Sequence, residues 1–140
     1  MHPADEVVAE ARTWLGTPFR HQGRVKGEAG DCLGIVACVG KEKGGTDYDT
    51  LTYGRRPNPR RMSRLLGEHL VRIAVGEAGP ADVLHMAWGS LPMHLAIVTD
   101  VGILHAWEGA GRCVEHPLDF IWRSRIRAAY RFPALARWPS

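Results

Sequence analysis

Near residue 70 the chain changes texture, and that change restricts its fold more than any other feature. Downstream, "LVRIAV", "ADVLHMAW", "MHLAIVTD", "GILHAWE" and "RCVEH" are short β-leaning runs separated by Gly, Pro or Asp. Upstream, "ADEVVAEARTWLG" sets Val7, Val8, Ala11, Trp14 and Leu15 at helical spacing, with Asp5 and Glu6 in the first turn and Gly16 as a stop. The segment from Cys32 to about Lys43 puts Leu33, Val36 and Gly40 on one helical face, and "RRMSRLLGEHL" reads as a short helix. "TPFRHQGRVKGEAG" and "GGTDYDTLTYGRRPNP" read as polar loops, "PLDFIWRS" as one or two helical turns and "IRAAYRFP" as a last strand. Helices first and strands second, with hairpin-length gaps, predict an α+β fold with an antiparallel sheet. The stretch 78–81 reads as an internal loop, so residues 1–140 are expected to form one domain.

At 140 residues, 45% hydrophobic and 24% charged, the chain has enough apolar material for a core of its own. No apolar run approaches the ~20 residues that span a bilayer, so no membrane insertion is expected. The amphipathic, early-acidic start "MHPADEVVAEARTWLG" predicts a chain without a secretion signal. The net charge is +3, with arginines gathered at 55, 56, 60, 61 and 64 and again at 123, 125, 127 and 131. Solvated surface charge accounts for them; no interleaved aromatics of the kind that stack on bases accompany them, and nucleic acid is not expected as a partner. Three cysteines, Cys32, Cys38 and Cys113, are too few and too scattered for a disulfide framework, and an odd count leaves at least one free thiol.

"GEAGDCLGIVACVG" (27–40) places one of those thiols where a loop turns into a helix. A thiol in the first helical turn meets the positive end of the macrodipole and unpaired amides, which favour the nucleophilic thiolate. Asp31 is placed to cap the helix, although its charge opposes that shift. Gly30 and Gly34 are expected to leave the thiol open to a substrate backbone. A small cysteine packing a helix end is the competing reading.

Two histidines in the strand half favour the chemical reading. In "PMHLAIVTDVGILHAW", His94, Ala96 and Val98 share one face of a strand, and Ile103, His105 and Trp107 share one face of the next. A two- or four-residue turn around Asp100-Val101 makes the numbers of opposed residues sum to 201. His94 and His105 then lie on the same face as diagonal neighbours, roughly 7–8 Å apart at the backbone. A three-residue turn would separate them. A thiol, a histidine base and a polar group that orients the imidazole make up a papain-type arrangement. Semi-buried structural histidines are the duller alternative. A zinc site from Cys32, His94 and His105 lacks any CxxC or HxxxH pair, so no metal and no cofactor is expected.

At these residues the chain resembles the NlpC-type cell-wall cysteine peptidases. "D-C-L-G-I-V" is similar to their D-C-S-G-L-V nucleophile motif, and "H-L-A-I-V-T-D-V-G-I-L-H-A" to their H-V-G-I-Y…I-H-A block. "ARTWLGTPFRHQG" matches A-x-x-x-L-G-x-P-Y, and "PADVLHM" their G-D-V-L strand. The resemblance covers nearly the whole chain. The "P-F-x-H-Q" loop, Leu33 after the cysteine and the closing "AAYRFP" look most like the subgroup encoded with phage tails and gene transfer agents.

The resemblance implies a papain-like NlpC-type α+β fold, with a helical half carrying the nucleophile against a small antiparallel sheet. It implies Cys32 as nucleophile, His94 as base and His105 as orienting residue. The implied substrate is the peptide stem of peptidoglycan, often cut between D-glutamate and diaminopimelate, and the implied partners are hub or tip proteins of a phage-like tail. Such a particle assembles in the cytoplasm and delivers the enzyme to the wall. Two positions depart from the family pattern. Leu33 replaces a serine, a matter of packing. Phe19 stands where a tyrosine hydroxyl usually faces the site, and one lost oxyanion donor costs roughly 3–4 kcal/mol of transition-state stabilisation. His21 is placed to substitute for it, and Phe19, His21 and Asp31 complete the expected substrate-binding or oxyanion set. A tail-tip adaptor or plug with the same fold and little or no activity is the rival expectation, and Phe19 is the feature that favours it.

Overall fold

The computed structural model describes residues 2–89 and 91–139. Helix α1 (Pro3–Arg12) starts with proline in its first turn and with the His2 ring accepting from the Ala4 amide. The loop after it contains a two-stranded hairpin, β1 (Arg24–Val25) and β2 (Ala29–Gly30), turning at Gly27 with φ +81°. Two residues per strand are too few to leave an alternating pattern, so the sequence reads there only as loop. Helix α2 (Cys32–Val39) follows directly.

The structure buries Leu33, Gly34, Ile35, Val36, Ala37 and Val39 of α2, so the helix is covered nearly all round and not along one face. Each of its fully buried branched side chains contributes about 1.5–3 kcal/mol of transfer free energy. Residues 40–44 continue as a wider π-type turn. There Gly40 and Gly44 lie against the Phe132 ring, which a Cβ would meet at 3.1 and 2.6 Å. After a strap without regular structure, Asn58 caps α3 (Pro59–His69), whose Met62 and Leu66 turn inward.

The second half is the expected sheet. Strands β3 (Val71–Ile73), β4 (Val83–Trp88), β5 (Leu91–Val98), β6 (Ile103–Trp107), β7 (Arg112–His116) and β8 (Ile126–Arg131) form one sheet in the order β3-β8-β4-β5-β6-β7. Every neighbouring pair is antiparallel. Between β7 and β8 sits α4 (Phe120–Arg123), and α5 (Pro133–Ala136) closes the chain.

The two faces of the sheet pack differently. Val83, Leu95, Ile97, Leu104, Ala106 and Tyr130 join side chains of α1, α2, α3 and α5 in the larger core. Leu84, Met86, Ala96, Ile103 and Ala129 face the other way, against Leu118 and Trp122 around α4. Helix α2 packs on β5 and β6, which brings its first residue to the strands that carry the histidines.

Candidate active site

Asp31 determines where Cys32 stands. It is extended (φ −115°, ψ 179°) and 5% exposed, and its Oδ1 accepts from the Gly34 amide at 2.7 Å, capping α2 so that Cys32 becomes the first helical residue. The remaining capacity of the carboxylate is also committed. The Gln22 amide donates to Oδ2 at 2.8 Å, the Tyr53 hydroxyl at 2.6 Å, and Arg24 Nη1 donates to Oδ1 at 3.2 Å. Gln22 adopts φ +62° to deliver its amide, a left-handed conformation uncommon for a residue with a side chain. Its own side chain then binds the Leu51 and Tyr53 carbonyls at 2.6 and 2.8 Å. Arg24 extends the cluster to the Thr50 carbonyl, Asp49 and the Tyr53 hydroxyl, and its basicity is raised by those hydrogen bonds against the opposing effect of its burial. One carboxylate therefore joins α2, the 17–31 loop and the 46–58 strap.

The glycines have a different task from the one expected. A Cβ on Gly34 would lie 2.2 Å from the Gly23 carbonyl and 2.6 Å from Arg24 Nη1. A Cβ on Gly30 would press on Trp14 and Thr17. Both admit neighbouring protein, not a substrate backbone.

The hairpin pairs Ile97 with Leu104 and Val98 with Ile103, a sum of 201, across a four-residue turn. His94 and His105 meet as diagonal neighbours, with Nε2 of the first 2.6 Å from Nδ1 of the second. His105 Nε2 in turn lies 2.8 Å from His116 Nε2 on β7. The sequence reading missed His116. The signal was present: histidines recur every eleven residues, at 94, 105 and 116, and short antiparallel hairpins bring such positions to one face. Tryptophans enclose the row. Trp88 stacks on His94 at 4.9 Å between centroids, and Trp122 presents its edge or tilted face to His105 and His116 at 4.9 and 5.1 Å. Arg125 lies over Trp88 at 4.7 Å and over Trp122 at 4.5 Å.

Cys32 and His94 line one cleft of about 610 Å³, together with Phe19, His21, Tyr53, Arg55, Arg56 and Trp107. The backbone amides of Leu33 and of Leu95, the residue that follows His94, act on the thiol so as to lower its pKa. With His94 Nε2 engaged by His105, Nδ1 is the ring nitrogen left for the thiol. The expected depression of the Cys32 pKa is not what the site produces. Burial, reinforced by the Asp31 charge, pushes the thiol up to about 12, overriding the two amides. Burial likewise pulls His94 down to about 3, helped by the Arg125 charge, and His105 to about 2, helped by the neighbouring His94 and His116 and then by Arg125. Both shifts favour the uncharged forms of the thiol and the imidazole on this cleft wall.

Of the residues expected to complete the site, Phe19 and His21 line the cleft, and the His21 ring packs edge-on to Tyr53 at 5.4 Å. Asp31 also lines it, but its oxygens accept from four protein donors, so its part is to hold the helix that carries Cys32. Cys38 and Cys113 are free thiols away from the cleft lining, and among the described residues no group of three or more metal-binding side chains is assembled. Leu33 packs in the core.

No family model matches the chain, and neither does any curated protein. Solved structures do. The NlpC/p60 domain of the peptidoglycan hydrolase SagA superposes with a TM-score of 0.67 at 21% identity, covering 91% of this chain and 97% of that one. An NlpC/P60 family protein from Bacillus cereus gives 0.68 at 20% identity over 92% of this chain. The peptidoglycan hydrolase RipB from Mycobacterium tuberculosis gives 0.62 at 16% identity over 93%. The chain spans 40% of the Bacillus cereus protein and 64% of RipB. The fold is thus the papain-like α+β fold of NlpC/P60 domains, as the sequence motifs implied.

Two outcomes follow from this geometry. Replacing Asp31 by alanine should lower the unfolding free energy in urea by about 3 kcal/mol, about 1 from the lost cap and about 2 from the lost charged hydrogen bonds. Asp31→Asn, which keeps an acceptor for Gly34, should lose about half as much; a loss below about 1 kcal/mol for alanine would remove Asp31 from its central place. Second, because the thiol is raised and His94 lowered, alkylation of Cys32 by iodoacetamide should accelerate with pH beyond the ordinary thiol midpoint of ~8.5. A rate already level at about neutral pH would reveal a thiolate–imidazolium pair at rest.

Proposed function

We propose that this protein is a cysteine peptidase that hydrolyses the peptide stems of peptidoglycan. The observation that carries the proposal is the presence on the wall of one cleft of Cys32, at the first turn of a buried helix, and of His94, which His105 holds from behind at 2.6 Å. The likeness of fold to proteins named as peptidoglycan hydrolases supports the choice of substrate. Arg55 and Arg56 on the cleft wall suit the carboxylates of D-glutamate and diaminopimelate in a stem peptide, and the bond between those two residues is the one we assign as scissile.

In the proposed reaction the Cys32 proton moves to His94 Nδ1 as Sγ attacks the carbonyl carbon. The transfer belongs to the attack itself, because the resting groups are neutral. The developing oxyanion finds the Cys32 amide, which has no partner within its helix, and the His21 ring on the cleft wall. His94 then passes its proton to the leaving amine, and a thioester on Cys32 remains. Water, deprotonated by the same nitrogen, releases the acyl fragment and restores the thiol. His105 holds the His94 ring throughout.

Service as a component of a phage-like tail, assembled in the cytoplasm and acting on the wall through hub or tip proteins, is supported by the "P-F-x-H-Q", Leu33 and "AAYRFP" features of the sequence. Phe19, a ring without a hydroxyl on the cleft wall, supports the alternative of a structural tail-tip adaptor. Mass analysis of muropeptides after incubation with the protein separates the two. The enzyme reading predicts cleavage after D-glutamate and none with Cys32→Ala or His94→Ala. His105→Asn should retain more activity than His105→Ala. Intact muropeptides with the parent protein would favour the adaptor.

A further inference from the structure

The third histidine of the row has no part in the reaction just described, yet its bonding gives the row a direction. His116 Nδ1 lies 2.9 Å from the Pro117 carbonyl oxygen. A carbonyl only accepts, so His116 Nδ1 carries a hydrogen. In the singly protonated form of the His116 ring that N–H is its only one, which makes Nε2 an acceptor. Its partner at 2.8 Å, His105 Nε2, is therefore the donor, and His105 Nδ1 is left bare. His94 Nε2, 2.6 Å away, must then donate to it. The series ends at His94 Nδ1, the nitrogen left for Cys32, as an unprotonated base.

We infer that His116, anchored on the Pro117 carbonyl, is a positioning residue that acts through His105 to keep His94 in the tautomer able to take the thiol proton. The inference rests on the hydrolase reading for its kinetic consequence, but the direction of the hydrogen bonds stands on its own. Burial supports it, since it lowers the pKa of both His94 and His105 and so disfavours a second proton on either ring. Trp122, edge-on to His105 and tilted against His116, fixes the two rings where the bonds require them. Without His116, the His105 ring can turn its hydrogen either way. His94 would then divide between a useful tautomer and one whose Nδ1–H faces the thiol.

Nitrogen-15 correlation spectra of the imidazoles in the full chain at neutral pH test the inference without any substrate. The expected result is hydrogen on Nε2 of His94 and His105 and on Nδ1 of His116; hydrogen on Nδ1 of His94 would overturn it. His116 is only half-buried, so substitution there should leave the fold intact. His116→Phe should produce mixed tautomers at His94 and lower kcat at least about tenfold with KM unchanged, a wrong tautomer costing up to ~10⁴ in a serine triad. His116→Gln, whose amide oxygen accepts from His105 Nε2–H, should restore both readouts. Undiminished kcat in His116→Phe would refute the positioning role. Ordered tautomers in a protein that cleaves no muropeptide would instead refute the hydrolase reading and leave the row as described.

Discussion

The position of Cys32 depends on the buried carboxylate of Asp31. It begins α2, receives two backbone amides, and binds a guanidinium and a phenol that arrive from separate loops. Taking a carboxylate out of water is costly unless each lone pair finds a donor, and here the donors are supplied by segments that otherwise share no regular structure. The carboxylate consequently settles three things together: where the helix starts, which residue stands first in it, and how the 46–58 strap lies over the cleft. The same charge has a chemical cost, since it raises the pKa of the thiol it positions.

The sheet supplies the other half. Because side chains alternate along a strand, a four-residue turn between β5 and β6 is enough to bring His94 and His105 to one face at bonding distance, and β7 extends the row by His116. A jacket of Trp88, Trp107 and Trp122 keeps the rings away from water. Burial lowers the pKa of both His94 and His105, which favours a hydrogen bond between uncharged rings in that pair. The uncharged forms that burial favours at Cys32 and His94 avoid sustaining a buried ion pair.

How much of this could be read in the sequence followed from the range of the forces involved. Helix α1, the loop-to-helix junction at Cys32 and the 201 register depend on local periodicity and turn length, which a sequence displays. The role of Gly34 did not show, because the atom that requires it, the Gly23 carbonyl, belongs to another loop. Nor did the joining of Arg24 and Tyr53 to Asp31, since nothing in their spacing announces a shared carboxylate. The sign of the Cys32 shift was misjudged for a related reason: the helix terminus is a local feature, whereas the burial that outweighs it is imposed by packing on β5. The short strands β1 and β2 left no pattern to read, and His116 was passed over because the β6–β7 turn that aligns it carries no alternating signal of its own.

The most direct test of Cys32 as a nucleophile driven by a neutral base is to trap the covalent intermediate. Protein mixed with a muropeptide and quenched in acid at short times should gain the mass of the acyl fragment ending in D-glutamate. Digestion should locate that mass on the peptide containing Cys32, and His94→Ala should show none. An acyl group on Cys38 or Cys113, or cleavage with no adduct at any quench time, would contradict the account.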